Sequence, residues 1–364
     1  MEINELQISG MVLNVQTPTP ERLRRYRCTT SSLAVWCWRE YTLHTVHSNN
    51  DAKGSDVTLL DRVAFTKLHA GGNDFICMDN TQGAYQSLLS AGAWPVVVRA
   101  LCRRALGVGA DGLVVACQLG SGDGVDIVAR FLEPDGTEAR LCGNGTACFT
   151  YWALGAGLVS GPEVNILTAA GTARAQPDAS DPSRVTVCVP NPHSLEIGVE
   201  LNADGRHRTV HLINTGVPHA VIFVDSLHDV DVARVGAAIR WHERFTGMGG
   251  VNVNFVRILE EGHVAVRTYE FGVEAETLAC GTGSTAAAII ATLARGWAAP
   301  YHSGNEPVKV EVRGGETLRV WFTHNADGSF RDTCMQTRVS PIYDGELRPE
   351  AVRELCEQIS QSDR

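Results

Sequence analysis

Lysine is nearly absent from this chain: only Lys53, Lys67 and Lys309 occur, so arginine carries almost all of the positive charge. A pyridoxal phosphate enzyme needs a lysine for its Schiff base, and none of the three stands beside a Gly/Ser phosphate cradle. No cofactor and no metal are expected. Long basic runs and basic stripes interleaved with aromatics are also missing, and the formal net charge is -10. A chain of that sign is poorly suited to a phosphate backbone, which excludes nucleic acid as an expected partner. The longest apolar stretch, Ser284 to Ala299, is Ala-rich, is broken by Arg295 and is too short to read as a membrane span. The N-terminus lacks the positive-then-apolar order of a secretory signal, so the cytoplasm is the expected compartment. The eleven cysteines are odd in number, scattered and never arranged as C-x-x-C. That pattern argues against a disulfide frame or a zinc ribbon and for reduced thiols. Cys77, Cys102 and Cys117, inside apolar runs, read as small buried hydrophobes.

What is present is enough apolar sequence for a full core: 364 residues, 44% hydrophobic and 20% charged, which suits two domains of ordinary size. Residues 1–62 lack sustained periodicity and carry the clusters Thr17 to Pro20, Arg22 to Arg27 and Ser48 to Ser55. They read as an extension, either a disordered arm, a small regulatory piece or translation from a start placed too far upstream. From Val63 the pattern turns globular. Phe65 to Leu68 and Phe75 to Met78 alternate as strands around a Gly-rich turn, and Trp94 to Leu106 has helical spacing. Further short strands are expected at Leu113 to Cys117, Ile127 to Leu132, Val185 to Val189 and Val210 to Ile213. Helices are expected after Cys142 and Cys280. Many short strands with few helices, not in strict alternation, make an α+β fold.

An internal echo carries the most information. Glu138 to Gly145 and Glu276 to Gly283 both read E-x-x-x-C-G-x-G, and each precedes a helix-like segment. Two related halves follow from it, one motif per half, facing across a cleft. Each motif sets a thiol just before a Gly-x-Gly turn that opens a helix, where free N–H groups and the helix dipole favour anions and lower a thiol pKa. A thiolate at one motif and a thiol at the other make a base and an acid on opposite sides of a bound carbon. The amides of Gly143 and Asn144, and of Gly281 and Thr282, are placed to hold a substrate carboxylate and the charge that builds on it as the proton leaves. Gly107 to Gly112 also satisfies G-x-G-x-x-G. There, however, a helix precedes and a strand follows, the reverse of a dinucleotide-binding turn, so a connecting turn is expected.

Over most of residues 63–345 the sequence resembles the diaminopimelate epimerase family. The blocks that carry the resemblance stand in the family's order: Phe65 to Phe75 (F-T-K-L-H-A-G-G-N-D-F), Gly107 to Leu113, Leu141 to Gly145, Asn214 to His219 (N-T-G-V-P-H), Val251 to Phe255 (V-N-V-N-F) and Glu276 to Gly283. The resemblance implies two pseudo-symmetric halves, each a barrel-like sheet around a central helix, with the active site between them. Residues 63–187 plus 336–345 would form the first half, 188–335 the second and 346–364 a tail. It further implies that Cys142 and Cys280 are the acid/base pair, that His219 supports the first thiol and Glu270 the second, and that Asn73 and Asn252 hold substrate. The expected partners are a small amino-acid substrate and at most a second copy of the chain.

Two positions depart from the family. Where it has Arg after this Glu, in a Y-E-R-G context, the chain has Phe271, which cannot pair with the distal carboxylate of diaminopimelate. Before the Asp135-Gly136 turn, where the family has Asn, stands Glu133, which repels a substrate carboxylate and attracts an amine. Epimerisation of LL-diaminopimelate to the meso form is the leading expectation, placing the chain in lysine and peptidoglycan precursor synthesis. The open alternatives are a racemase or epimerase of another amino acid using the same thiols, an isomerase of the phenazine-biosynthesis type, which lacks the cysteine pair, and a binding protein without catalysis. Arg130, Arg240 and Arg244 are the candidates to replace the missing arginine.

Overall fold

The computed structural model describes residues 5–8, 11–14, 63–86, 92–120, 124–139 and 142–362. Within the unit formed by residues 1–52, strands β1 (Glu5–Ile8) and β2 (Met11–Asn14) pair as an antiparallel hairpin. The clusters Thr17 to Pro20, Arg22 to Arg27 and Ser48 to Ser55 lie outside the described residues.

The second unit contains the duplication. Its first part runs β3 (Ala64–Ala70), β4 (Asn73–Asp79), α1 (Trp94–Cys102), β5 (Gly112–Leu119), β6 (Ile127–Leu132), β7 (Glu138–Ala139), α2 (Gly143–Gly155), β8 (Val164–Thr168), β9 (Gly171–Pro177) and β10 (Arg184–Cys188). After β11 (His193–Ala203) the second part runs β12 (Arg206–Asn214), β13 (Pro218–Phe223), α3 (Val232–Arg240), β14 (Asn252–Glu260), β15 (His263–Glu270), β16 (Ala275–Thr277), α4 (Gly281–Arg295), β17 (Val308–Val312), β18 (Thr317–His324) and β19 (Phe330–Glu346). The chain then ends in α5 (Pro349–Ser362). The pairing pattern is the same in both parts. β3–β4 and β12–β13 are antiparallel, whereas β4–β5 and β13–β14 are parallel across α1 and α3. β6 and β15 each take a short antiparallel partner, β7 or β16, and then a parallel one, β8 or β17, across a central helix.

Strand β19, 17 residues long, stitches the parts together. Its first residues pair with β18, its middle with β10, and Val339 to Glu346 with β3. Through it β3, β4, β5, β6, β8, β9, β10 and β19 close a ring around α2. α4 lies in the corresponding place against β12 to β15, β17 and β18. This explains why both helices read as apolar on every side: Gly143 to Thr150 and Gly283 to Thr292 are buried without a polar face, since strands surround them. α1 is instead a surface helix. Its Val97, Val98, Leu101 and Cys102 share a core with Val352 and Leu355 of α5, so residues 349–362, expected as a tail, form a packed amphipathic helix. The Gly107 to Asp111 segment joins α1 to β5 as the expected turn, with Lys67 Nζ bonded to the Gly109 carbonyl and paired with Asp74.

One cysteine expectation is corrected. Cys188 and Cys334 face each other across β10 and β19, Cα to Cα 4.0 Å, and form a disulfide. The two lie 146 residues apart in sequence, so spacing along the chain carries no trace of the pair. Among the described residues the remaining cysteines, including Cys142 and Cys280, are free. No described helix is long and apolar enough to cross a membrane.

Candidate active site

Cys142 and Cys280 occupy the same structural position twice over. Each is the N-cap of a central helix in extended backbone, with φ -128° and ψ 117° for Cys142 and φ -131° and ψ 113° for Cys280. Each sulfur accepts the N–H three residues on, from Gly145 and Gly283, at 3.4 Å. Thr146 and Ser284 amides bond the Cys142 and Cys280 carbonyls. The first amides of each helix, Gly143 and Asn144 on one side and Gly281 and Thr282 on the other, are left without intrahelical acceptors, as the opening turn of a helix requires.

The Gly-x-Gly spacing has a steric cause. A Cβ on Gly143 would stand 2.9 Å from the Met335 methyl, and one on Gly281 3.0 Å from the Met335 sulfur. Met335, fully buried on the shared strand β19, therefore lies against the openings of both helices. A Cβ on Gly283 would fall 2.4 Å from Asn254 Oδ1. A larger residue at Gly143 or Gly281 would have to displace the Met335 side chain, and one at Gly283 the Asn254 amide.

Burial decides the thiol pKa values. Loss of solvent pushes Cys142 up to about 12 and raises Cys280 further, while the Gly145 and Gly283 amides pull the other way with smaller effect. The expectation of lowered values is thus corrected, because desolvation outweighs the helix terminus. The Cys280 titration also responds to charge on Cys142, which puts the two sulfurs within electrostatic reach. Glu270 acts on both thiols, and burial, helped by Glu133 and Asp111, raises its own pKa to about 7.

His219 lies on the side of the second thiol. Its Nε2 is 3.0 Å from Thr282 Oγ1, and that hydroxyl is 3.4 Å from Cys280 Sγ. The resemblance assigned His219 to Cys142; the fold places its imidazole at the opening of α4. Asn254 Nδ2 donates to His219 Nδ1 at 3.1 Å and to the Ala220 carbonyl at 3.2 Å, while Thr268 Oγ1 donates to Asn254 Oδ1 at 3.0 Å. Burial lowers the His219 pKa to about 3, so the ring is neutral, with its proton on Nε2. Asn254, Thr268 and Met335 stand at the candidate site and were not singled out in the sequence. The signal for Asn254 was its place two residues after Asn252, between Val253 and Phe255.

Asn73 and Asn144 meet across the first half: Asn144 Nδ2 donates to Asn73 Oδ1 at 2.8 Å, and Asn73 Nδ2 reaches Asp111 at 3.3 Å. Asn252 bonds inward, donating to the Pro218 carbonyl and accepting the Phe271 N–H at 2.8 Å, so it fixes the turn after Glu270. A cavity of about 830 Å³ brings together Asn73, Cys142, Glu270, Phe271 and Glu133 with Arg104 and Asp111. Arg104 is held by Asp74 and Asp111.

The duplicated framework has counterparts among known proteins. The family described as Diaminopimelate epimerase matches residues 65–190 and 211–334, which correspond to the two repeated parts of the fold. A diaminopimelate epimerase of Aquifex aeolicus (strain VF5) is 36% identical over 293 residues, 79% of this chain and 99% of that protein. One from Archaeoglobus fulgidus is 36% identical over 304 residues, 80% and 99% of the two chains. Among solved structures, a hydroxyproline epimerase from Agrobacterium vitis superposes with a TM-score of 0.58 at 17% identity, covering 80% of this chain and 94% of its own. A phenazine biosynthesis protein of the PhzF family from Bacillus anthracis does so at 0.59 and 14%, covering 79% and 99%. These two likenesses concern the fold. With the family match spanning both halves and relatives covered over nearly their full length, the chain belongs to the diaminopimelate epimerase family.

Proposed function

We propose that this chain epimerises LL-diaminopimelate to the meso form without a cofactor, using Cys142 and Cys280 as a two-base pair. The observation that carries the proposal is the matched placement of the two thiols, each the N-cap of a buried helix with the same backbone angles. Inverting a carbon centre needs one group to take the α-proton from one face and another to return a proton from the opposite face. One cysteine enters as thiolate and leaves as thiol, and the other does the reverse, so the pair exchanges roles with the direction of reaction.

The α-proton is weakly acidic, and a turnover near the enzyme median of roughly 10 per second corresponds to a barrier of about 16 kcal/mol. The first amides of α2 and α4 would hold the α-carboxylate as negative charge builds on it. The substrate's ammonium, set between the thiols and Glu270, would offset the desolvation that raises both thiol pKa values. The Asn254–His219–Thr282 chain directs a hydroxyl at Cys280 and supports charge on that sulfur. The names of the relatives supply the substrate.

The test is solvent deuterium incorporation at the α-carbon, with purified reduced protein, no added cofactor and LL-diaminopimelate. Exchange with accumulation of the meso isomer is expected; no exchange would sink the proposal.

A further inference from the structure

The far end of the cavity is lined unlike the end that holds the thiol. None of the three arginines considered as replacements for the cation missing at position 271 lines it. Arg130 pairs with Glu138 at 3.1 Å and Arg244 with Glu196 at 2.7 Å. Arg240 is buried, its guanidinium carbon 4.0 Å from the Phe271 ring centroid and 4.1 Å from that of Trp241, and it is bonded to Glu274 and the Gly249 carbonyl. Phe271 therefore stands between this arginine and any ligand. Among the described residues the one arginine lining the cavity, Arg104, is committed to Asp74 and Asp111.

The lining carboxylates exceed the cations available to them. Asp111 is met by Arg104, and Glu276 by Arg267 and Arg313. Glu133, Asp135 and Glu270 have no cationic side chain in an ion pair among the described residues. Glu133 and Glu270 both line the cavity, Glu270 half-buried and Glu133 exposed. No described residue donates a hydrogen bond to the Glu133 carboxylate, while Asp135 is capped by Thr137. Although Glu133 is exposed, partial desolvation by its surroundings and, after it, the charges of Asp135 and Asp111 raise its pKa.

We infer that Glu133 recognises a side-chain ammonium on the substrate, so that the substrate class is α-amino acids ending in a protonated amine, with or without a distal carboxylate. The inference rests on the α-carbon chemistry proposed above. Diaminopimelate meets the requirement through its distal amine, and so does lysine. Phe271 lines the same cavity and cannot pair with an anion; its ring already carries the Arg240 guanidinium on one face, which shows that it accepts a cation. A distal carboxylate alone would meet Glu133 and Asp135, and among the described residues the lining Arg104 is already paired with Asp74 and Asp111.

The test compares α-deuterium exchange for LL-diaminopimelate, L-lysine and L-2-aminopimelate, which keeps a distal carboxylate but lacks the amine, using the full reduced chain. Expected is a kcat/KM for lysine within about tenfold of that for diaminopimelate and at least tenfold above that for 2-aminopimelate. Glu133→Gln should raise KM for lysine at least tenfold with a smaller change in kcat, and Phe271→Arg should shift preference toward 2-aminopimelate. Aminopimelate exchanging as fast as lysine, or Glu133→Gln slowing all three substrates equally, would overturn the inference. Exchange with diaminopimelate alone would overturn it too while leaving the two-thiol epimerase standing, whereas exchange with none would end both.

Discussion

Asn254 fixes the tautomer of His219. Its amide nitrogen donates to His219 Nδ1 at 3.1 Å, and Thr268, by donating to Asn254 Oδ1, holds the amide in that orientation. The imidazole proton must then sit on Nε2, facing Thr282 Oγ1, whose own proton is free to face Cys280 Sγ. Asn254→Asp removes the donor and inverts the chain. Epimerisation should fall by about 10²-fold or more, the scale of a misplaced acid or base. Asn254→Leu should in addition lower stability by about 1–3 kcal/mol, because it leaves His219 Nδ1 buried without a donor. Kinetics paired with thermal melting check both; full activity in Asn254→Asp would remove the relay from the mechanism.

Gly283 tests the same relay by sterics alone. An added methyl would approach Asn254 Oδ1 to 2.4 Å and Cys280 Sγ to 3.3 Å. Gly283→Ala should lower activity more than tenfold and stability by about 1–3 kcal/mol, as overpacking does. Gly155→Ala, whose new Cβ meets nothing within 4 Å, is the control and should stabilise slightly or change nothing.

The pH profile should show Glu270 and not His219. Burial holds Glu270 at about 7, and activity that needs its carboxylate should rise as pH passes through that value, with the rise lost in Glu270→Gln. Stability moves the other way for this group. A carboxyl raised from 4.5 to about 7 binds its proton more tightly in the folded state, so its contribution is lost as pH rises through that window. His219, lowered from 6.5 to about 3, has the opposite slope: the unfolded chain takes the proton first, and the fold weakens as pH falls from 6.5 toward 3. Urea midpoints measured from pH 4 to 8 for the natural chain, Glu270→Gln and His219→Gln separate the two. Glu270→Gln should flatten the loss at higher pH and His219→Gln the loss at lower pH.

The Cys188–Cys334 disulfide closes a loop spanning 146 residues between β10 and β19. Replacing both with serine should lower stability by about 5 kcal/mol on the loop-entropy account. Epimerisation at room temperature should persist, since the thiols of Cys142 and Cys280 are separate and free. A thermal midpoint indifferent to the double substitution would show that the bridge does not form in solution.

The chain of amino acids by itself determined the repeated motif and most of the elements around it. E-x-x-x-C-G-x-G twice, each before an apolar segment, marks two helix openings because a thiol, two glycines and a buried helix are local properties with a fixed spacing. The same holds for Ile127 to Leu132, where alternation sets a strand with those bounds, and for the helix beginning at Trp94. What the tertiary structure decided depends on register between distant strands. His219 pairs with Asn252 in the parallel β13–β14 ladder, and that register carries Asn254 to the imidazole and sets His219 beside Thr282 instead of Cys142. The antiparallel β10–β19 register puts Cys188 opposite Cys334. Packing of α3 against β15 and β16 buries Arg240 behind Phe271, so the arginine stacks on a cavity-lining ring without lining the cavity itself. Solvent exclusion, which exists only once both halves are assembled around their helices, reverses the sign of the thiol pKa shift that a helix terminus alone would produce.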